Sequence, residues 1–207
     1  GRSIQAVDVM TVDDLRFTEI EHKFIVDEQF DLPGFRDALS RLQPTRTSSV
    51  HVQDRYYLTD GGRKKGYLIR HRYDAELHHL TLKALAADTE ARSEINLDLG
   101  HHAGDQHDAV EAFLDHVGVQ WSGTLHKKLE VWQFPDVEVV HYHASTHARS
   151  VRCVEFEATR KPSLSGALEI VRRYERATGF ADLNRSRLSL LQILFPEVSE
   201  LLTAPTG

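Results

Sequence analysis

The sequence contains a single cysteine, Cys153, among 207 residues. This excludes an internal disulfide framework and any cysteine-based zinc cluster, and it is consistent with a reducing compartment. The residues around Cys153 are the apolar and charged residues of a strand pattern, which predicts a buried structural thiol.

Long apolar segments are also absent. No run approaches the roughly 20 apolar residues needed to span a bilayer, and no charged-then-apolar signal segment opens the given sequence. We therefore expect a cytoplasmic protein without a membrane partner. Gly1, in the place of a methionine, indicates cleavage of a tag.

Several functional motifs are missing as well. The sequence has no glycine-rich phosphate loop, no defensible Ser-His-Asp arrangement and no nucleic-acid-binding motif. Its formal net charge of −6 also argues against nucleic-acid binding driven by overall charge. A local basic site remains open, because Arg and Lys are concentrated at particular positions of predicted strands.

Length and composition fit one domain. With 41% hydrophobic and 27% charged residues, the chain has an ordinary composition for a single α+β or all-β domain. We expect an N-terminal arm over residues 1–16, one domain over 17–194 and a C-terminal tail over 195–207.

Helix and turn signals separate the predicted strands. Asp31 is a typical helix cap and Pro33 fits the first turn, which predicts a helix that runs through Leu42. Three more helices are predicted over residues 106–117, 164–178 and 187–194. The glycines of residues 60–66 predict a hairpin loop.

The strand pattern from Arg16 to Val26 organises the rest of the chain. Side chains of a strand alternate between its two faces, so Glu19, Glu21 and Lys23 share one face. Their apolar neighbours take the other face. Three charged groups therefore point the same way.

Later strands repeat this arrangement. The charged and polar residues that share a face are, in chain order, Arg70 and Arg72, then Thr81 and Lys83, then Arg92, Glu94 and Asn96, and finally Glu155 and Glu157. A solvated face can produce this pattern once, but seldom in successive strands with such regular spacing. The repetition indicates a barrel whose charged faces converge on one interior.

The same segments resemble, in order, the motifs of the CYTH superfamily, also called the triphosphate tunnel metalloenzymes. The matching segments are 19–23 (E-x-E-x-K), 54–59 (D-x-Y-Y-x-T), 68–72 (L-R-x-R), 80–83 (L-T-x-K), 92–94 (R-x-E) and 155–157 (E-x-E). The resemblance covers about residues 17–194. It implies an α+β fold with a closed antiparallel β-barrel of about eight strands, the triphosphate tunnel, with helices outside and a C-terminal helix near one mouth.

A triphosphate is a chain of anionic oxygens that must be held straight for in-line attack, and Arg and Lys can neutralise and orient it. The candidate substrate-binding residues are Lys23, Arg70, Arg72, Lys83, Arg92, Lys127 and Arg185. Carboxylates balance these cations and, as hard oxygen ligands, suit Mg²⁺ or Mn²⁺ better than zinc. The candidate metal ligands are Glu19, Glu21, Glu94, Glu155 and Glu157. Catalytic roles are expected for Glu21, Lys83 and Arg92.

The chain also departs from the family pattern. Leu129 stands where the family has the Arg of K-x-R, and Arg187 stands where it has the Tyr of K-S-Y. The strand at 137–148 lacks the family's metal-holding Asp, which leaves the number of metals open. His141 and His143 could share a face of this strand, but a zinc site built from them is the weaker interpretation.

The sequence therefore predicts metal-dependent hydrolysis of inorganic triphosphate or a related small triphosphate inside the tunnel. Two alternatives stay open: a class IV-type adenylyl cyclase, and a non-catalytic polyphosphate- or nucleotide-binding module. The departures from the family pattern keep the binding module under consideration. No nucleic-acid partner is expected, and the family leaves room for a homodimer.

Overall fold

The computed structural model describes residues 16–74, 77–85, 90–100, 106–158 and 164–203. The strands are β1 (Arg16–Val26), β2 (Arg46–Thr59), β3 (Tyr67–Tyr73), β4 (His78–Ala84), β5 (Ala91–Asp98), β6 (Val119–Gln133), β7 (Glu138–Ser145) and β8 (Ser150–Ala158). The helices are α1 (Leu32–Arg41), α2 (Asp60–Lys65), α3 (His107–Asp115), α4 (Leu164–Thr178), α5 (Leu190–Leu194) and α6 (Pro196–Thr203). The predicted N-terminal arm lies outside the described residues apart from Arg16.

The eight strands form one antiparallel sheet in the order β1-β5-β4-β3-β2-β6-β7-β8, which returns to β1 as a closed barrel. The prediction of an α+β protein with about eight antiparallel strands is confirmed. β1 takes part in two pairings, because Arg16–Ile20 pair with β5 and Ile20–Val26 pair with β8. Beyond Ile20, the edge of β1 on the side of β5 therefore forms hydrogen bonds with backbone outside the named strands, including that of Glu90 and Ser186.

The main apolar core lies outside the barrel. Phe24 and Phe156 face away from the barrel interior, and Phe24 packs edge-to-face against Phe180 with ring centroids 4.9 Å apart. Phe35 from α1 and Val171 from α4 belong to the same buried cluster. Because the outward faces of these strands bury the apolar residues, the inward faces are available for charge.

Helix α1 follows the sequence signals closely. The Asp31 side chain accepts a hydrogen bond from Gly34 N at 3.0 Å, and Pro33 lies in the first turn. Such a cap satisfies a backbone donor that the helix itself leaves without a partner. Leu42, the predicted last residue, is the C-cap.

Residues 60–66 connect a hairpin as predicted, because β2 and β3 pair antiparallel, but the connection forms helix α2 instead of a loop. Thr59 caps it by accepting a hydrogen bond from Gly62 N at 2.9 Å. Gly66 ends it with a φ of 79°, a left-handed conformation that favours glycine. The basic residues of the turn lie in the last turn of the helix, where they complement its dipole.

The C-terminal region also differs from the prediction. The helix expected over 187–194 is the shorter α5, which begins after a capping box formed by Ser189 and Gln192. The expected tail at 195–207 contains α6, which starts at Pro196, and residues 204–207 lie outside the described part. Apolar side chains of α5 and α6 pack on inward-facing residues of the barrel, so these two helices cover one mouth.

The predicted buried thiol is confirmed. Cys153 has no exposed surface, and burial raises its pKa to about 12. Within the described residues, no helix has both the length and the apolar surface that crossing a membrane requires.

Candidate active site

The barrel encloses a cavity of about 610 Å³ lined by charged side chains. The basic residues that line it are Lys23, Arg63, Arg70, Arg72, Lys83 and Lys127. The acidic residues that line it are Glu21, Glu94, Glu138, Glu155 and Glu157. The inward faces of the strands therefore bring together charged residues that are far apart in the sequence. Glu21 and Glu157, for example, are 136 positions apart.

Most of the predicted site residues lie in this cavity. Those placed there are Lys23, Arg70, Arg72, Lys83 and Lys127 among the cations, and Glu21, Glu94, Glu155 and Glu157 among the carboxylates. Glu19 and Arg92 are register partners on β1 and β5, but their side chains lie outside the described part of the structure. Lys128 is exposed. This agrees with a strand in which Lys127 points into the barrel and Lys128 points away from it.

Arg185 does not line the cavity. Its Nε lies 3.0 Å from Glu90 Oε2, and its Nη1 lies 3.2 Å from both ring nitrogens of His22. His22 faces away from the interior, because it alternates along β1 with Glu21 and Lys23. The backbone explains this position, since Ser186 N donates to Lys23 O at 2.8 Å and fixes the segment along the free edge of β1.

Glu138 is a site residue that the sequence reasoning did not select. It lies on β7, the strand that lacks the Asp implied by the sequence resemblance, and it is the register partner of Glu157 on β8. Glu157 in turn is the register partner of Glu21 on β1. Three glutamates thus form a row across adjacent strands, which are about 4.8 Å apart. The sequence signal for Glu138 is its spacing of two and four residues from Val140 and Tyr142, which places all three side chains on the same face of β7.

The histidines of β7 lie on the opposite face from this row. His141 stacks on Phe30 with ring centroids 6.0 Å apart, and its Nδ1 lies 3.8 Å from Glu130 Oε1. It therefore belongs to the outer surface of the barrel, so this strand contributes a carboxylate to the cavity instead of an imidazole.

Asp54 is a second residue that was not selected, although its motif was recognised. It is fully buried and receives two hydrogen bonds from Arg72, each of 2.7 Å, while Lys127 Nζ lies 3.4 Å from its Oδ2. Burial alone would raise the pKa of Asp54, but Arg72 and Lys127 hold this pKa far below its usual range. Asp54 is therefore a permanent anion that positions two cations of the cavity.

Two further ion pairs arrange the remaining lysines. Lys23 Nζ lies 3.0 Å from Glu21 Oε1 and 3.5 Å from Glu155 Oε1. Lys83 Nζ lies 2.9 Å from Glu94 Oε1. These contacts hold the ammonium groups of both lysines in place within the cavity.

Arg70 provides a direct sign of an absent anion. Its Nη2 donates to Thr81 Oγ1 at 3.3 Å, but its buried Nε has no hydrogen-bond partner among the described residues. A buried donor without a partner costs free energy, and ligand sites are where such groups occur. An anionic oxygen in the cavity would satisfy it.

The carboxylate row provides the matching sign of a cation. Burial and the neighbouring carboxylates of Glu138, Glu21, Glu94 and Glu155 raise the pKa of Glu157 to about 8. Carboxylates this close repel one another unless a proton or a cation lies between them. Because the donors are all hard oxygens, the set fits Mg²⁺ or Mn²⁺.

Replacing Glu157 by glutamine is expected to raise the melting temperature at alkaline pH in the presence of a chelator. The native state holds a proton on Glu157 that the unfolded chain releases, so its contribution to the free energy of unfolding falls as pH rises from about 4.5 through about 8. The glutamine variant lacks this titration, and each 1 kcal/mol regained corresponds to roughly 2–4 °C.

Thermal melts from about pH 6 to pH 9 measure this difference for the wild type, Glu157→Gln and the control Glu28→Gln, which changes an exposed glutamate. Arg72 also faces Glu157 and is present in all three proteins. Parallel pH curves for the wild type and Glu157→Gln would contradict the raised pKa of Glu157.

No family model and no curated protein matches the sequence. Among solved structures, the PH1012 protein of Pyrococcus horikoshii OT3 matches with a TM-score of 0.66 and 16% identity, covering 85% of this chain and 99% of that one. A putative adenylate cyclase of Bacillus halodurans matches with a TM-score of 0.56 and 18% identity, covering 87% and 99%.

A third structure adds a reported activity. HpAC1 of Hippeastrum, described as a putative adenylyl cyclase with a dominant triphosphatase activity, matches with a TM-score of 0.54 and 14% identity. The match covers 87% of this chain and 96% of that one. All three matches are below 25% identity, so they show that this chain shares the fold of these proteins, and this agrees with the fold that the sequence resemblance implied.

Proposed function

We propose that this chain, which has the fold of CYTH-type proteins, is a metal-dependent phosphohydrolase that cleaves inorganic triphosphate or a related small triphosphate inside the barrel. The observation that carries the proposal is the composition of the cavity. Six basic and five acidic side chains face one another in about 610 Å³. This is the arrangement that a polyanion and its counter-cation require together.

Binding of the triphosphate is assigned to the basic residues. Arg72, held by Asp54, and Arg70, whose Nε has no hydrogen-bond partner among the described residues, present guanidinium groups to phosphate oxygens. Arginine suits this task because its planar donors can make paired hydrogen bonds to one phosphate. Lys83 and Lys127 add positive charge along the same cavity.

The carboxylate row is assigned to metal binding and to the attacking water. Glu21, Glu138 and Glu157 would hold Mg²⁺ or Mn²⁺, with Glu94 and Glu155 beside them. A divalent ion at this place supplies electrostatic stabilisation of phosphate oxygens. A carboxylate of the row orients the water for in-line attack, and the basic residues stabilise the charge of the leaving phosphate.

The decisive experiment measures phosphate release from inorganic triphosphate, ATP and thiamine triphosphate, each with Mg²⁺, Mn²⁺ or a chelator. We expect metal-dependent release from inorganic triphosphate, because the charged side chains of the lining match a phosphate chain. Apolar residues such as Leu190, Leu191 and Leu202 also line the cavity, so the relative rates with ATP and thiamine triphosphate measure whether they hold an organic group. Formation of cyclic AMP from ATP would instead identify a cyclase, since the same cations can hold ATP. A rise in melting temperature with triphosphate but no product would identify a binding module.

A further inference from the structure

A second polar cluster lies on the outer surface of the barrel, opposite the cavity. It consists of His71 on β3, His78 on β4, and His107 and Glu111 on α3. His71 Nδ1 lies 2.7 Å from Glu111 Oε1, and His107 Nε2 lies 3.7 Å from the same oxygen. One ligand atom each from His71, His107 and Glu111 falls within 4.8 Å of the other two. Because His71 alternates with Arg70 and Arg72, this cluster is separated from the cavity by the sheet.

The hydrogen-bond pattern of the two buried histidines requires either an additional proton or a metal ion. Glu111 Oε1 and Gly100 O can only accept, so His71 Nδ1 and His78 Nδ1 must both donate, the latter over 3.2 Å. In neutral rings the two Nε2 atoms then carry lone pairs, yet they lie 2.9 Å apart.

We propose that His71 Nδ1, His107 Nε2 and Glu111 Oε1 bind one divalent transition-metal ion of the zinc class. With the ion at Nδ1 in place of the proton, His71 carries its hydrogen on Nε2 and donates it to His78 Nε2. His78 then donates from Nδ1 to Gly100 O. Each nitrogen thus has a suitable partner, in the arrangement by which a second hydrogen-bonded group orients a metal-binding histidine.

The carboxylate of Glu111 is already oriented for this role. Its Oε2 accepts hydrogen bonds from Arg55 Nη1, at 2.5 Å, and from the Tyr57 hydroxyl. This leaves Oε1 directed at His71 and His107. The positive charge of Arg55 opposes a nearby cation, but Asp115 Oδ1 lies 3.3 Å from Arg55 and offsets it.

The ligand set determines which ion is expected. Two imidazoles and one carboxylate are zinc ligands, with bonds of about 2.0–2.2 Å and a fourth position for water. The all-carboxylate row in the cavity favours Mg²⁺ or Mn²⁺ instead. The two sites therefore differ in metal preference as well as in position.

The expected consequence of binding is a stronger attachment of α3 to the barrel. Leu114 is the buried apolar residue of this helix, while Phe113 is 66% exposed. The polar contacts of His107 and Glu111 add to this attachment, and an ion shared with His71 would link the helix to β3.

Titration of the purified protein with Zn²⁺ in excess Mg²⁺ tests the proposal, with binding followed by calorimetry and by melting temperature. We expect one Zn²⁺ per chain and a higher melting temperature. His107→Ala is expected to weaken zinc binding by roughly 100-fold or more, since even the loss of a group behind a ligand costs about 10–100-fold. Co²⁺ in place of Zn²⁺ should give the absorption bands of a nitrogen-ligated ion in the wild type but not in His107→Ala.

The controls separate this site from the cavity. His116→Ala removes an exposed histidine at the end of α3 that bonds only Ala112 O in the described structure, and it should bind zinc like the wild type. Glu21→Gln should also keep the zinc site while losing activity. Unchanged zinc affinity in His107→Ala, or no zinc binding by the wild type, would overturn the proposal.

Discussion

Replacing Glu21 by glutamine is expected to reduce metal-dependent phosphate release by roughly 100-fold or more without unfolding the protein. Glu21 is the central member of the proposed metal site, because it is the register partner of Glu157, which is in turn the partner of Glu138. Glutamine has nearly the same shape, and its carbonyl oxygen can still accept the hydrogen bond that Lys23 Nζ donates to Glu21 Oε1 at 3.0 Å. The substitution therefore removes one negative charge while keeping the packing.

Steady-state kinetics with inorganic triphosphate over a range of Mg²⁺ and Mn²⁺ concentrations measures this effect. If Glu21 binds the ion, the variant should also need more metal for half-maximal rate. Glu130→Gln is the matched control, because Glu130 is a strand glutamate on the outer face and pairs with the exposed Arg36. Full turnover by Glu21→Gln would contradict the assignment of the carboxylate row to metal binding.

Much of the fold could be predicted from alternation along the strands. Each charged residue that was placed on a shared face and whose side chain is described, such as Glu21 with Lys23 or Arg70 with Arg72, lines the cavity. Alternation has a period of two, so one correctly placed residue determines the direction of the others. This is why an interior built from short motifs was predictable without knowledge of the strand order.

The boundaries at the turns were less predictable. At residues 60–66 the glycines indicated a hairpin loop, whereas the Thr59 cap and the left-handed Gly66 make the segment a short helix. At the C-terminus, the pattern gave one helix, but Pro196 starts a second one that covers the barrel mouth. In both places the outcome depends on caps and tertiary packing more than on apolar periodicity.

Arg185 shows the limit of motif transfer for the site. It follows the motif position that predicts a cavity residue, but the bond between Ser186 N and Lys23 O places it beside His22 and Glu90. Asp54 and Glu138 show the opposite case, because they were visible in the sequence and became site residues only through their neighbours across the sheet. The His71 cluster depends on α3 packing against β3, which no local pattern specifies.

Replacing Arg72 by methionine is expected to lower the free energy of unfolding by about 3–5 kcal/mol, which corresponds to roughly 6–20 °C in melting temperature. Methionine fills similar space but leaves Asp54, which is fully buried, without its two 2.7 Å hydrogen bonds. Lys127, whose Nζ lies 3.4 Å from Asp54 Oδ2, would remain as an ion-pair partner of this carboxylate. Triphosphate binding should weaken as well, because Arg72 is one of the proposed phosphate ligands.

The exposed pair of Arg36 and Glu130 provides a matched comparison, because it has the same two-bond geometry at distances of 2.8 and 2.5 Å. Arg36→Met should cost about 1 kcal/mol or less, since water replaces the lost partner of Glu130. Adding Asp54→Asn to Arg72→Met removes the uncompensated charge, so the double variant should regain most of the stability while triphosphate binding stays weak. Equal losses in the free energy of unfolding for Arg36→Met and Arg72→Met would mean that burial does not make Asp54 more dependent on Arg72. The role assigned to Asp54 in positioning Arg72 would then be wrong.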